Sequence, residues 1–266
     1  MKPAPRPRIV CVDDDPSIRR FVGLVLEDLP VEVLTCAEAA AARELLRQGP
    51  VALLITDLMM PGESGFELLA SLVADPALRA GALLAVFSAG LNATTRARLE
   101  GLDVWRELDK PVSVLELEDC VMQALAHAAG PRPMATTAPA PAPATAPATE
   151  STAAFSDVER HAIRELFGGD AGLYGAFRDQ ALQQFVLDRQ ALAAALQAAD
   201  WPAVHRQAHS LKGALATLGD AQGRALALAL ENAAAAPDIA ACQQAWPALD
   251  QHLSRMNRSE VTKLSL

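Results

Sequence analysis

The chain has 266 residues, a formal net charge of −9, a pI near 5.1 and 51% hydrophobic residues. An acidic chain of this kind, with no Arg/Lys cluster between aromatic residues, is not expected to bind nucleic acid. Its four cysteines are widely spaced and form no CxxC pair, which argues against a disulfide framework or a cysteine zinc site.

The first residues, MKPAPRPRIVCV, are basic, but their apolar run is too short for a signal peptide. No uninterrupted run of about 18 apolar residues follows, so we expect no membrane span. These features predict a cytoplasmic protein.

Five short apolar runs alternate with helical patterns before residue 128. Continuous apolar runs are typical of parallel strands that are covered on both faces. The predicted strands are 9–12, 31–34, 51–56, 83–87 and 104–108. The predicted helices are 16–28, 37–48, 65–74, 94–100 and 114–128, with capping boxes at Thr35/Glu38 and Ser113/Glu116. The pattern predicts a doubly wound α/β domain whose ligand site lies at the carboxyl ends of the strands.

Residues 129–152 are almost wholly Ala, Pro and Thr. Proline fixes φ and lacks an amide donor, and nothing large is present to bury. We therefore expect an extended, semi-rigid linker that separates a domain at 1–128 from a second domain at 153–266.

The second domain shows no strand pattern. A capping box at Ser156 and Glu159 begins one helix, and Asp170 precedes a long helix that reaches about residue 199. A third helix starts at 200–202 and ends near Gly219, and further helical stretches follow. We expect Pro247 to kink or interrupt the last helix. Leu and Ala dominate, so the prediction is an all-α antiparallel helical bundle.

Polar side chains gather at the predicted strand ends of the first domain. Asp13 and Asp14 follow the first strand, and Asp57 ends the third. Carboxylates crowded at one sheet edge repel one another unless a hard cation such as Mg²⁺ binds. Ser88 and Lys110 follow the fourth and fifth strands, and a hydroxyl and an ammonium suit a transferred phosphoryl group.

The segments VDDDP, TDLMMPGESG, FSA and DKP, in that order, resemble the response-regulator receiver domain over residues 7–128. The resemblance implies a flavodoxin-like fold with five parallel strands. It also implies that Asp57 accepts a phosphoryl group from a phosphohistidine, and that Asp13, Asp14, Asp57 and the backbone carbonyl of Met59 hold Mg²⁺.

By the same resemblance, Ser88 hydrogen-bonds the phosphoryl oxygens, Lys110 pairs with their charge, and Pro111 follows a cis peptide bond. One position departs from the family. Glu107 stands where receivers have an aromatic switch residue, so whether phosphorylation drives the family's usual surface switch is an open question. A rival interpretation is a Mg²⁺-dependent aspartyl-phosphate hydrolase of the dehalogenase type. Such an enzyme needs a second acid two residues after the nucleophile, where this chain has Met59, so the sequence argues against it.

The third helix of the second domain contains HSLKGALATLG. Steps of three and four predict its buried stripe, which is Val204, Ala208, Leu211, Leu215 and Leu218. His209 and Lys212 lie on the adjacent, partly exposed stripe. A mid-helix Gly213 costs about 1 kcal/mol against alanine, and the absence of a side chain leaves room for a partner near the imidazole.

The motif HSLKGALATLG resembles that of the histidine-containing phosphotransfer (HPt) domain, across residues 153–258. The resemblance implies that His209 carries a phosphoryl group, that Lys212 supports it electrostatically and that Gly213 gives clearance. His205 and His209, four residues apart, are also spaced as half of a metal site, but no further His, Cys or acidic ligands are evident nearby in the sequence, which argues against metal binding.

No kinase-like ATP site and no basic recognition helix are evident in the sequence. We therefore expect a two-component phosphorelay intermediate that is not an enzyme beyond the receiver's own phosphorylation and dephosphorylation. Its expected partners are an upstream sensor histidine kinase and a response-regulator receiver, without nucleic acid or membrane. Two alternatives stay open. One is a receiver-gated interaction module in which His209 exchanges phosphoryl groups only with other proteins, and the other is a phosphate sink.

Overall fold

The computed structural model describes residues 5–89, 91–128, 155–236 and 239–263, with side chains to residue 257. The predicted linker at 129–152 lies outside the described residues, so its extended form stays a prediction. Within the described ranges, no helix is long and apolar enough to cross a membrane.

The first domain is built on a parallel sheet of five strands in the order β2-β1-β3-β4-β5. The strands are β1 (Arg8–Val12), β2 (Glu32–Cys36), β3 (Leu53–Thr56), β4 (Leu83–Ser88) and β5 (Arg106–Asp109). Val12 pairs with Thr56, which brings the carboxyl ends of β1 and β3 level with each other. The predicted doubly wound, flavodoxin-like architecture is confirmed.

Helices cover both faces of the sheet. They are α1 (Pro16–Val25), α2 (Ala39–Arg47), α3 (Gly65–Ala74), α4 (Pro76–Arg79), α5 (Ala93–Leu99) and α6 (Val114–Ala128). The prediction of a capping box at Thr35 is wrong, because Thr35 belongs to β2 and Glu38 is itself the N-cap, without a side-chain bond. At α6, the Glu116 amide donates to the Ser113 hydroxyl at 3.2 Å. Two further features were not predicted from the sequence: the short helix α4 and the capping box that Ser64 forms at α3.

The second domain is helical, as predicted. Its helices are α7 (Asp157–Leu166), α8 (Ala171–Gln197), α9 (Trp201–Thr217), α10 (Ala221–Ala235) and α11 (Ile239–Lys263). The capping box at Ser156 is present. Helices α8 to α11 pack in sequence, and α11 returns to α8 to close a bundle. Helix α11 continues through Pro247, because buried side chains such as Cys242 and Leu249 hold it to the bundle on both sides of the proline.

The two domains pack against each other through α1 and α8. The Phe21 ring of α1 lies edge-on to Phe177 of α8, at 5.6 Å between ring centroids, and to Phe167 at 5.7 Å. Phe21 is only 1% exposed. T-shaped pairs of this kind are favourable beyond the area they bury. An aromatic cluster therefore joins the two cores, a contact that the sequence analysis did not predict.

Candidate functional site: facing aspartate and histidine centres

Three carboxylates converge at the ends of β1 and β3. Asp13 and Asp57 are buried, Asp14 is half-buried, and one oxygen of each lies within 4.8 Å of the others. The pleat and register of the two central strands bring them together, because Asp13 follows β1 and Asp57 follows β3. The cluster predicted from the sequence is therefore present in space.

Lys110 is the cation within this cluster. Its Nζ donates to Oδ2 of Asp13 at 2.6 Å and to Oδ2 of Asp57 at 2.9 Å. Burial alone would lower the pKa of Lys110, but the charges of the two aspartates raise it above its ordinary value. The bond from Lys110 to Pro111 is cis. Lys110 therefore stays charged at the strand ends.

The carboxylates respond differently to this environment. Burial opposes ionisation of Asp57, but Lys110 and hydrogen bonds from the Met59 amide and Ser88 lower its pKa below the ordinary value. Oδ1 of Asp57 also accepts from the Leu58 amide at 2.5 Å. Asp13 has its pKa raised to about 8, mainly by burial.

One buried ammonium is thus too little charge for three carboxylates. Burial is the main cause of a raised pKa at both Asp13 and Asp14. Lys110 alone therefore does not neutralise the three carboxylates, and a further cation would stabilise their ionised forms. An all-oxygen donor set of this kind fits Mg²⁺. The Met59 side chain is 53% exposed and takes no part, so only its backbone carbonyl remains as a candidate ligand.

Gly65 is required by this geometry, although the sequence analysis assigned it no role. A Cβ at Gly65 would lie 1.9 Å from the carbonyl oxygen of Asp57. The first turn of α3 therefore passes directly over the end of β3, and only glycine permits this approach.

His209 forms a second centre with a carboxylate that the sequence analysis missed. Its Nδ1 lies 2.5 Å from Oε1 of Glu231 on α10. Lys212 donates to both Glu231 oxygens, at 2.7 and 2.9 Å. Burial opposes ionisation of Glu231, but hydrogen bonds from His209 and Lys212 lower its pKa to about 2. Lys212 is therefore tied to Glu231, and its Nζ also lies 3.3 Å from Nδ1 of His209.

The geometry sets the protonation of the imidazole. An ionised carboxylate can only accept a hydrogen bond, so the proton is on Nδ1, which donates it to Glu231. In the neutral ring, Nε2 then has the free lone pair. Nε2 is buried and has no hydrogen-bond partner within the described part of the chain. It is therefore the nucleophilic atom of this imidazole.

His205 and Gly213 lie about one helical turn before and after His209 on α9. The ring of His205 stacks beside that of His209, with 6.5 Å between the ring centroids. In the described residues, the acidic cluster is the only group of three side chains that could bind a metal, so His205 and His209 have no third ligand beside them. A Cβ at Gly213 would meet nothing within 4 Å. A methyl group at Gly213 would therefore clash with nothing in the described chain, and the clearance that Gly213 gives to a partner protein stays a prediction.

The two centres face each other across a cavity of about 280 Å³. The first domain contributes Asp14, Asp57, Met59 and Lys110, and the second contributes His205, Arg206, His209 and Gly213. Lys212 and Glu231 line an adjoining cavity with Ser88 and Met59. All the predicted site residues except Asp13, which lies behind Lys110, thus line the space between the domains.

Glu107 lies away from this space. Its carboxylate accepts from Arg96 of α5 at 2.8 Å, and its side chain is 33% exposed. The position that is aromatic in receivers is therefore occupied here by an ion pair on the outer face of β5.

Comparison with known proteins agrees with this division. Residues 9–122 match the family described as "Response regulator receiver domain", and residues 173–259 match the family described as "Hpt domain". The chain is similar to the virulence sensor protein BvgS of Bordetella pertussis, with 32% identity over 80% of this chain and 17% of BvgS. It is also similar to the sensor histidine kinase GacS of Pseudomonas protegens, with 28% identity over 82% of this chain and 23% of GacS.

The chain thus spans less than a quarter of the length of these two relatives. Among solved structures, it resembles a signal receiver domain of an HD domain-containing protein from Pseudomonas fluorescens Pf-5. That match has 26% identity and a TM-score of 0.43, and it covers 46% of this chain and 96% of the other.

Proposed function

Because the chain joins a response-regulator receiver domain to an Hpt domain, we propose that it is a phosphorelay intermediate in which Asp57 and His209 exchange a phosphoryl group within one chain. The observation that carries the proposal is the cavity that both residues line from opposite domains. Holding both reacting groups on one chain replaces an encounter between proteins by a local approach. The names of the relatives, a virulence sensor and a sensor histidine kinase, favour an upstream kinase as donor and another receiver as final acceptor.

The relay has two balanced steps. First, the Asp57 carboxylate attacks the phosphorus of a donor phosphohistidine, so that a P–N bond breaks and a P–O bond forms. Second, Nε2 of His209 attacks the same phosphorus, the P–O bond breaks, and the carboxylate is released. The Nδ1 proton stays on the ring, where the hydrogen bond to Glu231 stabilises the positive charge that develops on the imidazole.

Residues of the receiver hold the phosphoryl group on Asp57. Lys110 is already within hydrogen-bond distance of the carboxylate and pairs with the added charge. Ser88 is 3% exposed and donates to the phosphoryl oxygens. Asp13, Asp14, Asp57 and the Met59 carbonyl would hold Mg²⁺, which supplies further positive charge to these oxygens.

A labelling experiment tests the proposal. The protein is incubated with labelled acetyl phosphate and Mg²⁺, cleaved in the 129–152 segment, and the label on each half is measured. Asp57→Asn and His209→Gln chains are the controls. We expect label on the helical half only when Asp57 is present. Label that stays on Asp57 and never reaches His209 would instead support the gated module, and rapid loss as inorganic phosphate would support the phosphate sink.

A further inference from the structure

The surface that binds the helical domain also governs access to Asp57. Asp15, directly after the acidic cluster, is the N-cap of α1, and Phe21 of α1 packs on Phe177 of α8. With the helical domain in this place, Asp57 is 2% exposed and His209 faces it. A histidine on another protein cannot approach the same carboxylate until the resident domain has moved.

The two ends of the contact between α1 and α8 differ in character. Phe21, Phe167 and Phe177 form an apolar anchor at one end. Seven and eleven residues after Phe177, on the same side of α8, stand Gln184 and Asp188. The side of α8 that carries Phe177 is therefore apolar at one end and polar at the other.

The polar end opposes docking. The pKa of Asp188 is raised to about 6, mainly by burial; the hydrogen bond from Gln184 at 2.9 Å acts against this rise, and the charge of Asp15 on the receiver adds to it. Within the described part of the chain, Asp188 forms no ion pair with a cationic side chain. A partly desolvated, unpaired carboxylate that feels the charge of a second carboxylate across an interface weakens that interface.

We propose that the docked helical domain closes Asp57 to an outside histidine donor, and that Asp188 together with Gln184 sets how readily this domain leaves α1. The aromatic anchor returns the domain for internal transfer, and the polar end keeps the docked state reversible. The proposal rests on the proposed function only in taking Asp57 as the phosphoacceptor.

Two substitutions on α8 shift this balance in opposite directions. Gln184→Glu adds a second carboxylate beside Asp188, and Asp188→Asn removes the existing one. Neither residue belongs to the buried core of the helical bundle, as both are only half-buried. We therefore expect both variants to keep the wild-type helical content, measured by circular dichroism.

The test measures transfer between two full-length chains. The donor is the Asp57→Asn chain with His209 phosphorylated by phosphoramidate, and the acceptor is the His209→Gln chain with or without one α8 substitution. Relative to the His209→Gln acceptor alone, we expect Gln184→Glu to raise the second-order rate constant and Asp188→Asn to lower it. The expected change in the rate constant is about tenfold in each direction, which corresponds to about 1.4 kcal/mol in the free energy of docking.

Equal rates in all three acceptors, changes in the same direction, or no transfer even to the Gln184→Glu acceptor would overturn the proposal. Labelling of each acceptor by acetyl phosphate reports separately whether Asp57 is the phosphoacceptor. Failure of that reaction would count against the proposed function instead.

Discussion

Glu231 offers the sharpest test of how the helical domain activates its histidine. Glu231→Gln keeps the shape of the side chain but removes the charge that Nδ1 of His209 and Lys212 share. A hydrogen bond to a charged acceptor is stronger than one to a neutral amide by about 1 kcal/mol. We therefore expect phosphoryl transfer from Asp57 to His209 to slow by about fivefold.

The same substitution lowers stability in a pH-dependent way. The pKa of Glu231 falls from 4.5 to about 2 in the folded protein, through His209 and Lys212 and against burial. At 1.4 kcal/mol per unit, reduced for solvent screening at the cavity, the group contributes about 1–2 kcal/mol. Because the folded pKa is the lower one, this contribution is present above pH 4.5 and is lost as the pH falls towards 2.

The assay is rapid-quench transfer from acetyl-phosphate-labelled Asp57, combined with ¹⁵N NMR of the His209 tautomer. Glu165→Gln, an exposed glutamate on α7, is the matched control and should behave as wild type. Wild-type transfer by Glu231→Gln, with the Nδ1–H tautomer unchanged, would refute the role of Glu231.

Three further predictions concern the site and the interface. Gly65→Ala should destabilise the receiver by more than about 2 kcal/mol in urea unfolding and abolish labelling of Asp57, because its Cβ would meet the backbone at 1.9 Å. Gly23→Ala, which meets nothing within 4 Å, is the control and should stabilise α1 by up to about 1 kcal/mol. Gly213→Ala should raise stability by a similar amount in the same assay and leave internal transfer unchanged; a loss of internal transfer would contradict the geometry. Because burial raises the pKa of Asp188 to about 6, docking should tighten as the pH falls through 6. The measurement is the protection factor of the α1 amides, which corrects for the intrinsic pH dependence of hydrogen exchange, and Asp188→Asn should remove the pH dependence of this factor.

The aspartate centre was predictable from the sequence because its residues follow strands. Asp13, Asp57 and Lys110 each stand at a carboxyl end, and a parallel sheet brings those ends to one edge. The stripe of α9 was predictable for the same kind of reason, since helical periodicity fixes which side chains are buried. Errors fell at helix boundaries, as at Thr35, where a strand residue also fits a capping pattern.

Glu231 and the domain contact were not predictable in this way. Glu231 lies 22 residues from His209 on another helix, and its one signal is that it is the lone acid of α10 in a Leu/Ala background. Phe21 and Phe177 each fit the apolar face of their own helix, so nothing in the pattern tells that they contact each other. Contacts between domains depend on shape across two surfaces, which a linear pattern does not contain.

The most direct test of internal transfer is its dependence on protein concentration. Asp57 is labelled with acetyl phosphate, the small donor is removed, and the appearance of label on His209 is followed over a hundredfold dilution. Mixed Asp57→Asn and His209→Gln chains provide the intermolecular reference. We expect a first-order rate constant that does not change on dilution and exceeds the rate in the mixture. A rate that falls in proportion to concentration, and equals that of the mixture, would contradict transfer within one chain.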